Sequence, residues 1–249
     1  MSISGSIYIG IDPFSQQGSF TYSKLDEECN LISLDYGEIS EISQLIPPDE
    51  QVYIAVNGPR NTNLGFAMEE LVAKGLKPGQ LRGGDLRIAE KLIREKGINI
   101  SATPSKKELC PEWMHLSFLI FEELEKINFS AFPTTNCDRQ YLETHSQAFF
   151  CTLLEQTPLP KSNIEGRLQR QLILFDLGVG IHNPMTFFEE ITHHKLINGI
   201  LPFDLVYASE QLDSIAAAYT AFLAATQPKH ISMVGSDDEG FIILPHKTM

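Results

Sequence analysis

Two short segments match position by position: Ile7-Tyr8-Ile9-Gly10-Ile11-Asp12 and Val52-Tyr53-Ile54-Ala55-Val56-Asn57. Each alternates with period 2, the pattern of a strand whose successive side chains point to opposite faces of a sheet. Each places a tyrosine, a small residue and then a polar residue on one face, and each is stopped by a chain breaker, Pro13 or Gly58-Pro59. A proline removes a ladder donor, so the polar residue stands at the carboxyl end of its strand. Paired in parallel, the two strands project Asp12 and Asn57 side by side from the edge where open α/β sheets bind ligands.

The surrounding pattern fits an α/β sheet. Ser19 to Ser23 and Asn30 to Tyr36 are strand candidates that complete an antiparallel three-stranded meander with the first strand; a short helical stretch near Ile39 to Leu45 follows. Residues from about 64 to 130 read as a helical insertion, with helices around Ala67 to Lys74, Leu86 to Glu95 and Met114 to Leu124. Gln140 to His145 reads as a further strand, with Glu143 and His145 on the side of Tyr141, and Glu165 to Phe175 as a helix. The clearest helix runs from about Ala208 to Ala224, where Leu212, Ile215, Ala216, Tyr219, Phe222 and Leu223 keep the spacing of a buried helical face. A neighbouring stripe of Asp213, Ala217, Thr220 and Ala224 allows a sheet to come close and carries the Asp213 carboxylate toward the strand ends. The tail, Ile231 to Val234 and Phe241 to Leu244, reads as a hairpin around an acidic turn.

At 249 residues and 43% hydrophobic content, the chain reads as one domain spanning 1–249. No apolar run approaches the roughly 20 residues of a spanning helix, and no export leader is visible, so the expectation is a soluble cytoplasmic protein without a membrane partner. Cys29, Cys110, Cys137 and Cys151 are far apart with no CxxC pair, as in reduced thiols. The formal net charge of -13 works against a nonspecific grip on long nucleic acid, which needs a basic face. Arg82, Arg87, Lys91 and Arg94, or Lys161, Arg167 and Arg170, read first as solvated helix faces.

The candidate site is Asp12, Asn57, Glu143 and Asp213. Carboxylates brought together repel, and protonation or a bound divalent cation relieves the repulsion. Magnesium or manganese suits such a cluster, and a pair of ions stabilises both oxygens of a phosphoryl displacement. The histidines His145, His182, His193 and His194 form no HExxH motif, and Gly178-Val179-Gly180 is too short for a dinucleotide fingerprint. Cys137 and Cys151 have no evident base partner.

An ordered series of pieces spanning nearly the whole chain resembles the DUF429 family, predicted nucleases of the ribonuclease H-like superfamily. The pieces are Gly10-Ile11-Asp12, Ile54-Ala55-Val56-Asn57-Gly58-Pro59, then Arg82, Asp85 and Arg87, then Glu143, Pro158-Leu159-Pro160-Lys161 and Glu165-Gly166-Arg167. The helix beginning Leu212-Asp213-Ser214-Ile215 and the tail Glu239-Gly240-Phe241-Ile242 complete it. The resemblance implies a ribonuclease H-like mixed sheet flanked by helices. It also implies Asp12, Glu143 and Asp213 as metal ligands, and Arg82, Asp85 and Arg87 on the substrate side. The family pattern has aspartate where this chain has Asn57, whose amide supplies no charge. Two expectations follow: a magnesium- or manganese-dependent nuclease acting on nucleic acid or a small phosphodiester, or a catalytically degenerate member that serves as a binding or regulatory module.

Overall fold

The computed structural model describes residues 5–15, 18–48, 50–75 and 83–246. One mixed sheet organises them. Strand β1 (Ser6–Asp12) pairs antiparallel with β2 (Phe20–Leu25), which pairs antiparallel with β3 (Leu31–Gly37), the meander that the sequence predicts. On its other side β1 pairs in parallel with β4 (Gln51–Asn57) in the matched register, Tyr8 beside Tyr53 and Gly10 beside Ala55. The two-residue strand β5 (Ser130–Ala131) joins β6 (Arg139–Thr144), and β7 (Ile231–Ser236) and β8 (Gly240–Pro245) form the tail hairpin. Along the sheet the order is β3-β2-β1-β4-β6-β8-β7, with β4, β6 and β8 parallel to one another.

The sequence's helices form with ends shifted by a few residues: α1 (Phe66–Ala73), α2 (Ile88–Glu95) and α3 (Glu112–Lys126) lie in the predicted insertion. Helix α4 (Ser146–Leu154), directly after β6, was not anticipated; α5 (Ile164–Asp176), the short α6 (Thr186–Glu189) and α7 (His193–Ile197), and α8 (Ser209–Thr226) complete the set. The stretch Ile39–Leu45 is a 3-10 helix.

Alternation along the strands divides the core. Ile9, Ile11, Val52, Ile54, Val56 and Tyr141 face α3, where Ile120, Phe121 and Leu124 cover them. Tyr8, Tyr53, Ala55 and Leu142 face α4 and α8, against Phe149, Leu212, Ile215 and Ala217. Helix α8 lies almost in contact with the backbone of β1: a Cβ on Gly10 would come within 1.9 Å of the Ser214 carbonyl oxygen and 2.2 Å of the Ala218 nitrogen. The small residues that the sequence marks on α8 therefore serve a backbone-to-backbone approach, although it runs along Ser214 and Ala218 rather than along Asp213 itself. No helix among the described residues is long and apolar enough to cross a membrane.

Because α8 cannot accept a methyl group at Gly10 without moving, Gly10→Ala is expected to cost about 3 kcal/mol through overpacking. Urea unfolding should show a lower midpoint with unchanged slope; an unchanged midpoint would mean that α8 is free to shift.

Candidate functional site

Asp12 ends β1 and Asn57 ends β4, and the parallel register sets them side by side, as the sequence predicts. The Asn57 amide nitrogen donates to Asp12 Oδ1 at 2.7 Å, and the Asn57 amide oxygen accepts from the Ser146 N–H at 2.7 Å. That second bond dictates the first: turned around, the amide would set its NH2 group against a backbone N–H, donor against donor. Helix α4, in turn, starts at this point because His145 caps it. The His145 Nδ1 atom accepts from the Ala148 N–H at 3.4 Å, which leaves Nε2 as the ring's protonated nitrogen when the imidazole is neutral. Burial lowers its pKa to about 4, with Asp213 opposing and Lys161 reinforcing the shift, so the ring is neutral near pH 7.

Asp213 reaches the same edge from α8 and is 1% exposed. Its carboxylate contacts the Lys161 ammonium. Lys161 arrives there because its loop is held at three points. The Leu159 N–H donates to Gln169 at 2.7 Å, the Leu159 carbonyl accepts from Arg170 at 2.6 Å, and the Pro160 carbonyl lies where Gly166 would carry a Cβ, 2.0 Å away. Burial works to lower the Lys161 pKa, but contact with Asp213 and attraction to Asp12 hold it above its usual value.

Asp12 is 5% exposed, and its pKa is raised well above the ordinary value, first by burial and then by the neighbouring Asp213, with Glu210 adding and Lys161 and Asn57 opposing. A cavity of about 290 Å³ opens on this carboxyl group, walled by Asn57, His145 and Lys161 on the polar side and by Phe14 and Trp113 on the other. Trp113 stands in the first turn of α3, drawn in by the close fit of Gly58 against Ser117 and Pro13.

Glu143 takes no part in this arrangement. Its register partner on β4 is Val56, so it points to the α3 face, and Thr144 is the residue beside Asn57. There Glu143 forms a bidentate ion pair with Arg87, at 2.8 and 3.0 Å, and accepts from the Arg60 N–H at 3.0 Å. Arg87 is 1% exposed, so it ties the start of α2 to β6 and does not line the strand-end cavity. Glu239 locks the same region, its carboxylate accepting from the Leu64 and Ile88 N–H groups at 2.9 and 2.7 Å. Asp85 is exposed and offers its backbone carbonyl to Asn63 at 2.9 Å. Arg82 lies outside the described residues.

The structure thus brings together Asp12, Asn57 and Asp213 and separates Glu143 and Arg87 from them. Asn57 turns its nitrogen toward Asp12, Lys161 holds Asp213, and Glu143 is paired on the opposite face. Among the described residues, no group of three or more His, Cys, Asp or Glu side chains is arranged to hold a metal ion. The arrangement therefore does not fit the acidic cage of a two-metal centre. Lys161 and His145 are the site residues that sequence reasoning passed over. The Pro158-Leu159-Pro160-Lys161 run that ends in a lysine was the available signal for the first. Compared with protein-family models, curated proteins and solved structures, the chain gives no match.

If Glu143 is structural, Arg87→Met should destabilise the fold by about 3–5 kcal/mol, because a buried carboxylate loses its counter-charge. The double change Arg87→Met with Glu143→Leu should recover most of that loss in a double-mutant cycle. Additive losses would show that the two residues are not acting as a pair.

Proposed function

We propose that this chain is a ribonuclease H-like domain of the DUF429 type that serves as a binding module, with a small ligand received at the strand ends rather than cleaved by a two-metal centre. The observation that carries this reading is the orientation of Asn57. Its oxygen is committed to Ser146 and its nitrogen to Asp12, so the position supplies a donor where a metal cage needs an anionic oxygen. Support comes from the remaining acids: Asp213 is neutralised by Lys161, and Glu143 by Arg87. A ligand placed in the cavity meets one unshared carboxyl group, a neutral imidazole and two aromatic rings, a set suited to recognition.

One observation favours a second reading. Asp12 and Asp213 do share the strand-end edge, and the pKa of Asp12 is raised by burial and then by the Asp213 charge, which a cation would relieve. A magnesium- or manganese-dependent nuclease or phosphodiesterase would use that pair, with Lys161 displaced from Asp213.

Isothermal titration calorimetry with magnesium and with manganese separates the two. The binding reading expects no specific heat at millimolar metal and no cleavage of RNA, DNA or hybrid substrates. Saturable metal binding that Asp213→Ala abolishes, together with cleavage, would overturn it. Asn57→Asp, which replaces the donor with a second carboxylate beside Asp12, is the change expected to create metal affinity.

A further inference from the structure

Among the described residues that line the strand-end cavity, Asp12 is the one carboxyl group. Asp12 Oδ1 accepts from Asn57, but among the described residues Oδ2 takes part in no hydrogen bond, although the residue is 5% exposed and lines the cavity. That oxygen is open to the cavity rather than sealed in the core, and its natural complement is a strong donor or a cation brought by a ligand. The local charge points the same way. Asp213 and Glu210 both bear on Asp12, against Lys161 from the loop, while Arg170 on α5 feels Asp213. Both cations are already engaged, Lys161 with Asp213 and Arg170 with the carbonyls of Leu159 and Gly166.

The cavity also has aromatic lining. Phe14, 54% exposed, and Trp113 line this cavity and also a neighbouring one of about 550 Å³. Neither ring has an aromatic partner among the described residues, and the Trp113 indole N–H makes no hydrogen bond there. Glu112, next to Trp113 on α3, lines the neighbouring cavity. Aromatic faces attract organic cations, and a carboxyl group and two aromatic rings lining one cavity are a set that holds an ammonium group on an apolar body.

We propose that the cleft binds a small organic cation, its ammonium group at Asp12 Oδ2 and its apolar body along Trp113 and Phe14. This inference rests on the binding-module reading and names the ligand class. An inorganic divalent ion lacks the apolar body that these rings would cover, and a neutral aromatic molecule leaves the carboxylate without a counter-charge.

Trp113 is the only tryptophan in the sequence, so its fluorescence reports on this cleft alone. Phenethylammonium chloride is the probe, 2-phenylethanol its neutral counterpart and magnesium chloride the inorganic control, each titrated into the intact chain. The expected result is a saturable change in Trp113 emission with phenethylammonium, and binding of 2-phenylethanol weaker by about tenfold or more. Asp12→Asn should weaken phenethylammonium binding by about tenfold. If that variant does not fold, the comparison of ammonium with alcohol on the unaltered chain decides alone. Equal binding of the two aromatic probes, or no response to either, overturns the assignment of a cation site and leaves the binding-module reading in place. A response to magnesium in place of phenethylammonium, accompanied by phosphodiester cleavage, overturns both.

Discussion

The backbone contact between α8 and β1 is the constraint from which the rest of the molecule follows. Gly10 has no side chain to hold the helix away, and Ser214 and Ala218 are small enough to meet the strand directly. That closeness seals the apolar face formed by Tyr8, Tyr53 and Leu142, and it sets Asp213 beside the end of β1. Two carboxyl groups are thus drawn into one buried edge by packing, and the chain must then manage their repulsion. It does so with Lys161 on one and the Asn57 amide on the other, and the pKa of Asp12 stays raised, first by burial and then by Asp213.

The sheet itself separates the two polar centres. On the α8 face, Asp12, Asn57, Lys161 and His145 line a cavity, with Asp213 behind Lys161, and one oxygen of Asp12 makes no hydrogen bond among the described residues. On the α3 face, Glu143, Arg87 and Glu239 are closed on themselves and on backbone N–H groups, fastening β6 to the start of α2. A buried ion-paired network of this kind specifies how elements dock, although the Arg87 Nε atom is left without a partner. Several pieces of the family resemblance fall in each centre, so the resemblance alone does not distinguish the roles of their acids.

Much of this was legible in the sequence because it depends on periodicity. The twin strands, their parallel pairing, the meander, the tail hairpin and α8 all follow from alternation, helical spacing and chain breakers, and Asp12 beside Asn57 follows from the matched register. The placement of Glu143 did not follow. Alternation correctly sets it on the side of Tyr141, but which side of β6 continues the Asn57 face of β4 is a matter of inter-strand register, and one residue of register exchanges the faces. Asp213 was placed by the small residues around it, a local signal. Lys161 could not be placed in that way, since its position depends on the contacts of Leu159 and Pro160 with a helix that comes later in the chain. Helix α4 does not stand out in the sequence because its short run of Phe149, Phe150 and Cys151 carries no strong helical period, and its start is set by the His145 cap together with a tertiary bond from the Ser146 N–H to Asn57.

The strand-end site turns on Asp12, a crowded, buried carboxyl group that accepts from the Asn57 amide. Its ionisation is the most direct test. A folded-state pKa raised above the unfolded value means that the native chain holds its proton longer, so stability contributed by the protonated group is present at low pH and is lost as pH rises from about 4 through the folded pKa. Carboxyl 13C NMR of Asp12, titrated with and without magnesium, should give a midpoint above the usual carboxylate range that magnesium leaves unchanged. A midpoint in the ordinary range, or one that magnesium pulls down, would contradict the account.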